Sequence, residues 1–209
     1  MSRIMIWALN ENREKVRAGP GGQGICPGCG GAVRAHCGDV RIWHWHHETA
    51  ECDPWHETET DWHLKWKMRF PEEWREFWKA PHRADVAVRY GVVIEFQHSA
   101  IEPRDIQERE TFWEDLVWVF DAREWFHNFE VRFKSDKTTF RWKHPRQSLF
   151  ATTRPVYLDT GEEIFEMLFL GHKVPCGGTG RFIPYKHFLK LVKGNLQHKI
   201  DEAFGMGGK

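Results

Sequence analysis

Asp85, Glu95 and Gln97 are the residues whose types and spacing most plainly suggest chemistry. They lie within residues 83–99, a segment that reads as a β-hairpin with Asp85 on its first strand and Glu95-Phe96-Gln97 on its second. An acid followed, one short hairpin later, by an acid and an amide two residues apart suits a hard divalent cation held beside a phosphodiester. The chemistry that follows is hydrolysis of a nucleic-acid backbone.

The loop decides whether these groups converge. Gly91 after Arg89-Tyr90 suits a three-residue loop with the glycine in the left-handed conformation. Val88 then pairs with Val92, Val86 with Ile94, and Asp85 with Glu95. Alternate residues share a face, so Asp85, Ala87, Val93, Glu95 and Gln97 lie on one side. A two-residue loop shifts the register by one and separates Asp85 from Glu95. The plainer explanation is an edge hairpin with solvated acids. Against it, Glu95 sits in an apolar strand, where an unpaired carboxylate is costly.

The elements around the hairpin must hold these groups. Glu57 to Phe70 reads as a helix, with Thr58 or Thr60 as its cap and Pro71 ending it. Glu59, His63 and Lys67 are spaced i, i+4, i+8 and form one stripe on that helix. Taken alone, a solvated face is the better explanation of the stripe. Beside the hairpin, Glu59 could complete a metal shell directly or through water. Lys67 could activate the attacking water or stabilise charge on the phosphate, and His63 could bind phosphate or position a neighbour. Trp74 to Lys79 suggests a strand. A helix from Pro103 to about Leu116 and an apolar strand over Leu116–Phe120 suggest a right-handed βαβ crossover. Residues 3–9 and 40–45 read as extended. Phe129–Phe133 and Thr138–Trp142 look like paired strands. Val156–Leu158 and Ile164–Leu170 flank a turn, and residues 186–200 suggest a basic helix.

Cys26-x2-Cys29 has the spacing at which two thiolates share one tetrahedral metal. His44 and His47 are expected to complete a structural zinc site, with Cys37, His46 and Cys52 as rival ligands. A zinc protease, a zinc deaminase and a thioredoxin-like redox pair all fail on the order or spacing of the residues.

Composition adds limits. The 209 residues suffice for one catalytic core and a small appendage. Lys and Arg equal Asp and Glu at 30 each, so attraction to a polyanion must come from local patches. The N-terminus is too short for a signal peptide and no run approaches a membrane span. Five cysteines, two of them in Cys-x-x-Cys, fit a reducing, cytoplasmic setting.

The ordered set Cys-Pro-x-Cys, His-Trp-His-His, Glu59-x3-His63-x3-Lys67, Arg83-Ala-Asp85 and Ile94-Glu95-Phe-Gln97-His-Ser99 resembles the CoiA-like competence proteins over roughly residues 25–121. The resemblance extends to Arg109 and to the Leu116-Val-Trp-Val strand. It implies a PD-(D/E)xK-type nuclease: an α/β, restriction-endonuclease-like mixed sheet flanked by helices, with an N-terminal zinc-finger-like segment. It also implies Glu59, Asp85, Glu95 and Gln97 as the active site. Gln97 stands where many relatives carry lysine, so Lys67 must supply the cation.

The expected segments are 1–55 with the zinc site, 56–121 as the nuclease core, and 122–209 as a β-rich extension with a terminal basic helix. Mg²⁺ or Mn²⁺ is expected on Asp85, Glu95 and Glu59, and Zn²⁺ on the cysteine–histidine segment. DNA is the expected partner, contacted by Arg109, Arg132, Arg141 and Lys143, with recombination proteins as further partners. For residues 132–146 an ordinary amphipathic sheet is the slightly better explanation. The rival function is a non-catalytic, zinc-containing DNA-binding or recombinase-recruiting protein on a degenerate nuclease fold.

Overall fold

A computed structural model describes residues 5–40, 42–48, 53, 55, 59–88, 91–134, 138–172 and 176–194. Expectations for residues 3 and 4, Cys52, the helix start at Glu57, the Tyr90 turn position, and residues 195–200 fall outside these. The chain divides into two compact units, Met1–Asp85 and Val86–Lys209.

The first unit opens with five short strands: β1 (Trp7–Leu9), β2 (Lys15–Arg17), β3 (Gln23–Ile25), β4 (Ala32–His36) and β5 (His44–His47). They form an antiparallel sheet in the order β2-β1-β3-β4-β5. Met5, Ala8, Ala18, Cys26, Val33 and Trp45 make its core. The Trp45 indole donates to the Val16 carbonyl at 3.1 Å. Gly24 is required because a Cβ there would lie 2.9 Å from the Ala8 Cβ.

Helix α1 (Asp61–Lys67) follows, capped by Thr60. Thr60 accepts from the His63 amide, while the Thr60 amide donates to His63 Nδ1, a reciprocal capping box. Arg75 closes the other end by donating to the Phe70 and Met68 carbonyls. After a 3-10 turn at Glu72–Trp74 come β6 (Arg75–Lys79) and β7 (His82–Ala87).

The division between units falls inside β7. Beyond it lie β8 (Val93–Gln97), α2 (Pro103–Trp113), β9 (Leu116–Asp121), β10 (Phe129–Phe133), β11 (Thr138–Trp142), β12 (Val156–Asp159), β13 (Ile164–Leu170), β14 (Cys176–Ile183) and α3 (Tyr185–Gly194). The strand order is β10-β11-β14-β13-β12-β9-β8-β7-β6. β8, β9 and β12 run parallel to one another, while β7–β8 and the pairs among β10 to β14 are antiparallel. The sheet is therefore mixed, with β8-α2-β9 as its crossover unit. Every residue of β8 and β9 is buried, as a strand covered on both faces requires. Among the described residues no helix is long and apolar enough to cross a membrane.

Candidate functional site

Lys67 ends α1 with its side chain 2% exposed and its Nζ among three carboxylates. Glu59 Oε1 lies at 2.6 Å, Asp85 Oδ1 at 3.0 Å and Glu76 Oε1 at 3.5 Å. Glu59 precedes the helix, so the expected stripe on one helix does not form, yet Glu59 and Lys67 meet. Burial pulls the Lys67 pKa down, but Glu59, then Asp85 and Glu76, outweigh it and hold the pKa above its ordinary value. Lys67 is an ammonium in this setting, suited to stabilising negative charge rather than to accepting a proton. Glu59 Oε2 is enclosed and accepts no hydrogen bond from the described residues. His63 Nδ1 is engaged by Thr60 in the cap.

Glu76 was not singled out in the sequence. It is buried, sits at a φ of 51°, and accepts from the Ile6 amide at 3.2 Å. Glu76 Oε2 also lies 3.3 Å from Arg83 Nη1. A non-glycine residue in the left-handed region stores strain that its surroundings must hold. Here the Ile6, Lys67 and Arg83 contacts do so. Asp53 was also missed; it accepts from the Arg83 amide at 2.9 Å and contacts His82 Nδ1 at 3.0 Å, anchoring the start of β7.

In the second unit, Val86 registers with Ile94 and Ala87 with Val93, and the Val88 amide donates to the Val92 carbonyl. Gly91 has φ +88°. This is the register of the three-residue loop. Glu95 and Gln97 are buried. Arg109 on α2 is buried too, with Nη1 3.8 Å from Glu95 Oε2 and 3.5 Å from Gln97 Oε1. The Gln97 amide donates to the Ser99 carbonyl at 3.2 Å. Next along the chain, His98 Nδ1 and Arg123 both meet the Asp121 carboxylate. Burial pushes the Asp121 pKa up, but hydrogen bonds from Arg123 and His98 prevail and hold it below its ordinary value.

The cysteine segment forms a knuckle. Ligand atoms of Cys26, Cys29 and His47 lie within 4.8 Å of one another, close enough to share a metal ion. Cys29 Sγ is 3.5 Å from His47 Nε2. The Gly28 amide points at Cys26 Sγ at 3.4 Å and the Gly31 amide at Cys29 Sγ at 3.3 Å. The expectation for His44 is corrected. His44 and His47 are three apart on β5, so the strand turns them to opposite faces. His44 Nδ1 lies 2.9 Å from the Ile42 carbonyl, and its ring rests against His36. His46 stacks on His36, and Cys37 packs against the sheet core.

This is the one group of three potential ligands among the described residues. The acids form no second group, so Glu59 does not join a three-carboxylate shell there. Of the expected DNA contacts, Arg132 and Arg141 lie on the paired strands β10 and β11, and Lys143 just beyond pairs with Glu130 at 3.0 Å. Compared with known proteins, the chain matches no family model, no curated protein and no solved structure.

Proposed function

We propose that this protein is a divalent-cation-dependent nuclease acting on DNA through a restriction-endonuclease-like core. The observation that carries the reading is the buried Lys67 ammonium beside Asp85 and Glu59. A lysine and acidic side chains held together out of water are the components of phosphodiester hydrolysis, and Lys67 answers the lack of a lysine at Gln97. Asp85 and Glu95 are the ligands for Mg²⁺ or Mn²⁺; carboxylate oxygens suit a hard cation, which commonly takes one or two protein ligands and fills the rest with water and phosphate. When bound, the cation supplies Lewis-acid charge and lowers the pKa of an attacking water. Glu59, with an oxygen that accepts no hydrogen bond from the described residues, orients that water. Lys67 stabilises charge on the phosphate, and Arg109 holds Glu95 and Gln97 in place. Cys26, Cys29 and His47 hold a structural Zn²⁺; two thiolates and an imidazole are donors that zinc favours.

A second reading also has an observation behind it. Lys67 and Arg109 already offset the acids, and Gln97 spends its amide on Ser99. On that reading the chain binds DNA or recruits a recombinase without cutting. Incubation with DNA, with and without Mn²⁺, separates the two. Metal-dependent cleavage supports the nuclease, whereas binding without cleavage supports the rival.

A further inference from the structure

The second unit carries a cleft of about 320 Å³ that none of the roles above uses. Leu149, Phe150, Leu168, Phe169, His172 and Arg154 line it, with no acidic residue in its wall. Its volume lies in the range of small-ligand sites. Arg154 is the distinctive group. Its Nε is enclosed and donates no hydrogen bond, and no acid among the described residues pairs with it. Arg154 is partly buried, with its Nε out of water, so its guanidinium can receive an anion at the cleft.

The wall around it is built firmly. Buried Glu110 accepts from the Thr153 amide at 3.0 Å, the Arg154 amide at 3.4 Å and the Trp118 indole at 2.9 Å. These bonds fix the backbone from which Arg154 projects. Across the cleft, the β13–β14 register shifts between Met167 and Phe169. Leu168 and Phe169 are consequently both exposed, at 58% and 62%, where a regular strand would turn one of them inward. Phe150 and His172 add two rings 5.4 Å apart. Aromatic surface beside one unpaired cation matches a flat base joined to a phosphate.

We propose that this cleft binds one nucleotide of a single DNA strand, with the base against Phe169 and Phe150 and the phosphate at Arg154. The proposal rests on the DNA reading above and names the form of DNA recognised. The test is fluorescence anisotropy of a labelled oligothymidylate of about ten nucleotides, with the full chain and no added divalent cation. Arg154→Ala and Phe169→Ala should each weaken binding by about tenfold, the loss of one stacked base or one phosphate contact. Arg154→Lys should retain part of the affinity. Thymidine monophosphate should compete, and octanoate should not. Wild-type affinity in Arg154→Ala and Phe169→Ala overturns the proposal, as does no binding by wild type. Equal competition by octanoate overturns it in favour of a site for apolar anions. Cleavage with Mn²⁺ in the same preparation is scored separately. Loss of binding in the variants without any cleavage keeps the cleft and removes the nuclease, and the converse result removes the cleft alone.

Discussion

Lys67 shows how a single buried charge can organise its surroundings. Its ammonium is held by Glu59, Asp85 and Glu76, and its removal leaves those carboxylates without their shared cation. Breaking a buried pair by deleting one partner costs on the order of 3–5 kcal/mol. Lys67→Ala should therefore lower unfolding stability by about that much, as measured by urea denaturation. The double change Lys67→Met with Glu59→Gln should recover part of the loss; no recovery would argue against the pair. The histidines make a second prediction at this scale. If the knuckle holds the proposed Zn²⁺, His47→Ala should release it and His44→Ala should retain it, as read by metal analysis of the purified protein. Equal loss in both would contradict the three-ligand assignment.

Elements put these side chains in place. Gly28 lies directly against the Trp78 ring of β6, where an added Cβ would come within 1.9 Å of the indole. Gly28→Ala should cost about 1–3 kcal/mol through overpacking, and Trp78→Leu should suppress that loss in the double variant. A neutral Gly28→Ala in thermal melts would refute the contact. Much of this level was legible in the sequence. The Gly91 loop register, the parallel β8-α2-β9 unit and the β10–β11 pairing all follow from turn residues and apolar patterning. Other features were not. β2 to β4 are short and polar, without a period long enough to detect. β14 is glycine-rich because Gly178 and Gly180 lie under the rings of Phe140 and Phe165, a demand set by distant residues. Glu76 carries no motif; its role comes from the contacts that fold it beside Lys67. The error at His44 was avoidable, since strand alternation alone separates it from His47.

At the scale of the molecule, stability should depend on acidity through Asp121. Its folded pKa lies below the ordinary value, so the stabilisation is fully present above the unfolded value and lost as pH falls through the folded one. The melting-temperature gap between wild type and Asp121→Asn should be complete at neutral pH and begin to close as pH falls below about 4. A gap independent of pH would remove Asp121 as the cause. The boundary between the two compact units follows Asp85, within β7. The central proposal is that Asp85 and Glu95 support DNA cleavage with a divalent cation. It is tested most directly by comparing DNA cleavage with Mn²⁺ by wild type, Asp85→Asn and Glu95→Gln, each checked for an intact fold. The account predicts cutting by wild type that requires the cation, and a loss of at least about 100-fold in either variant. Cutting at wild-type rate by both folded variants would contradict it.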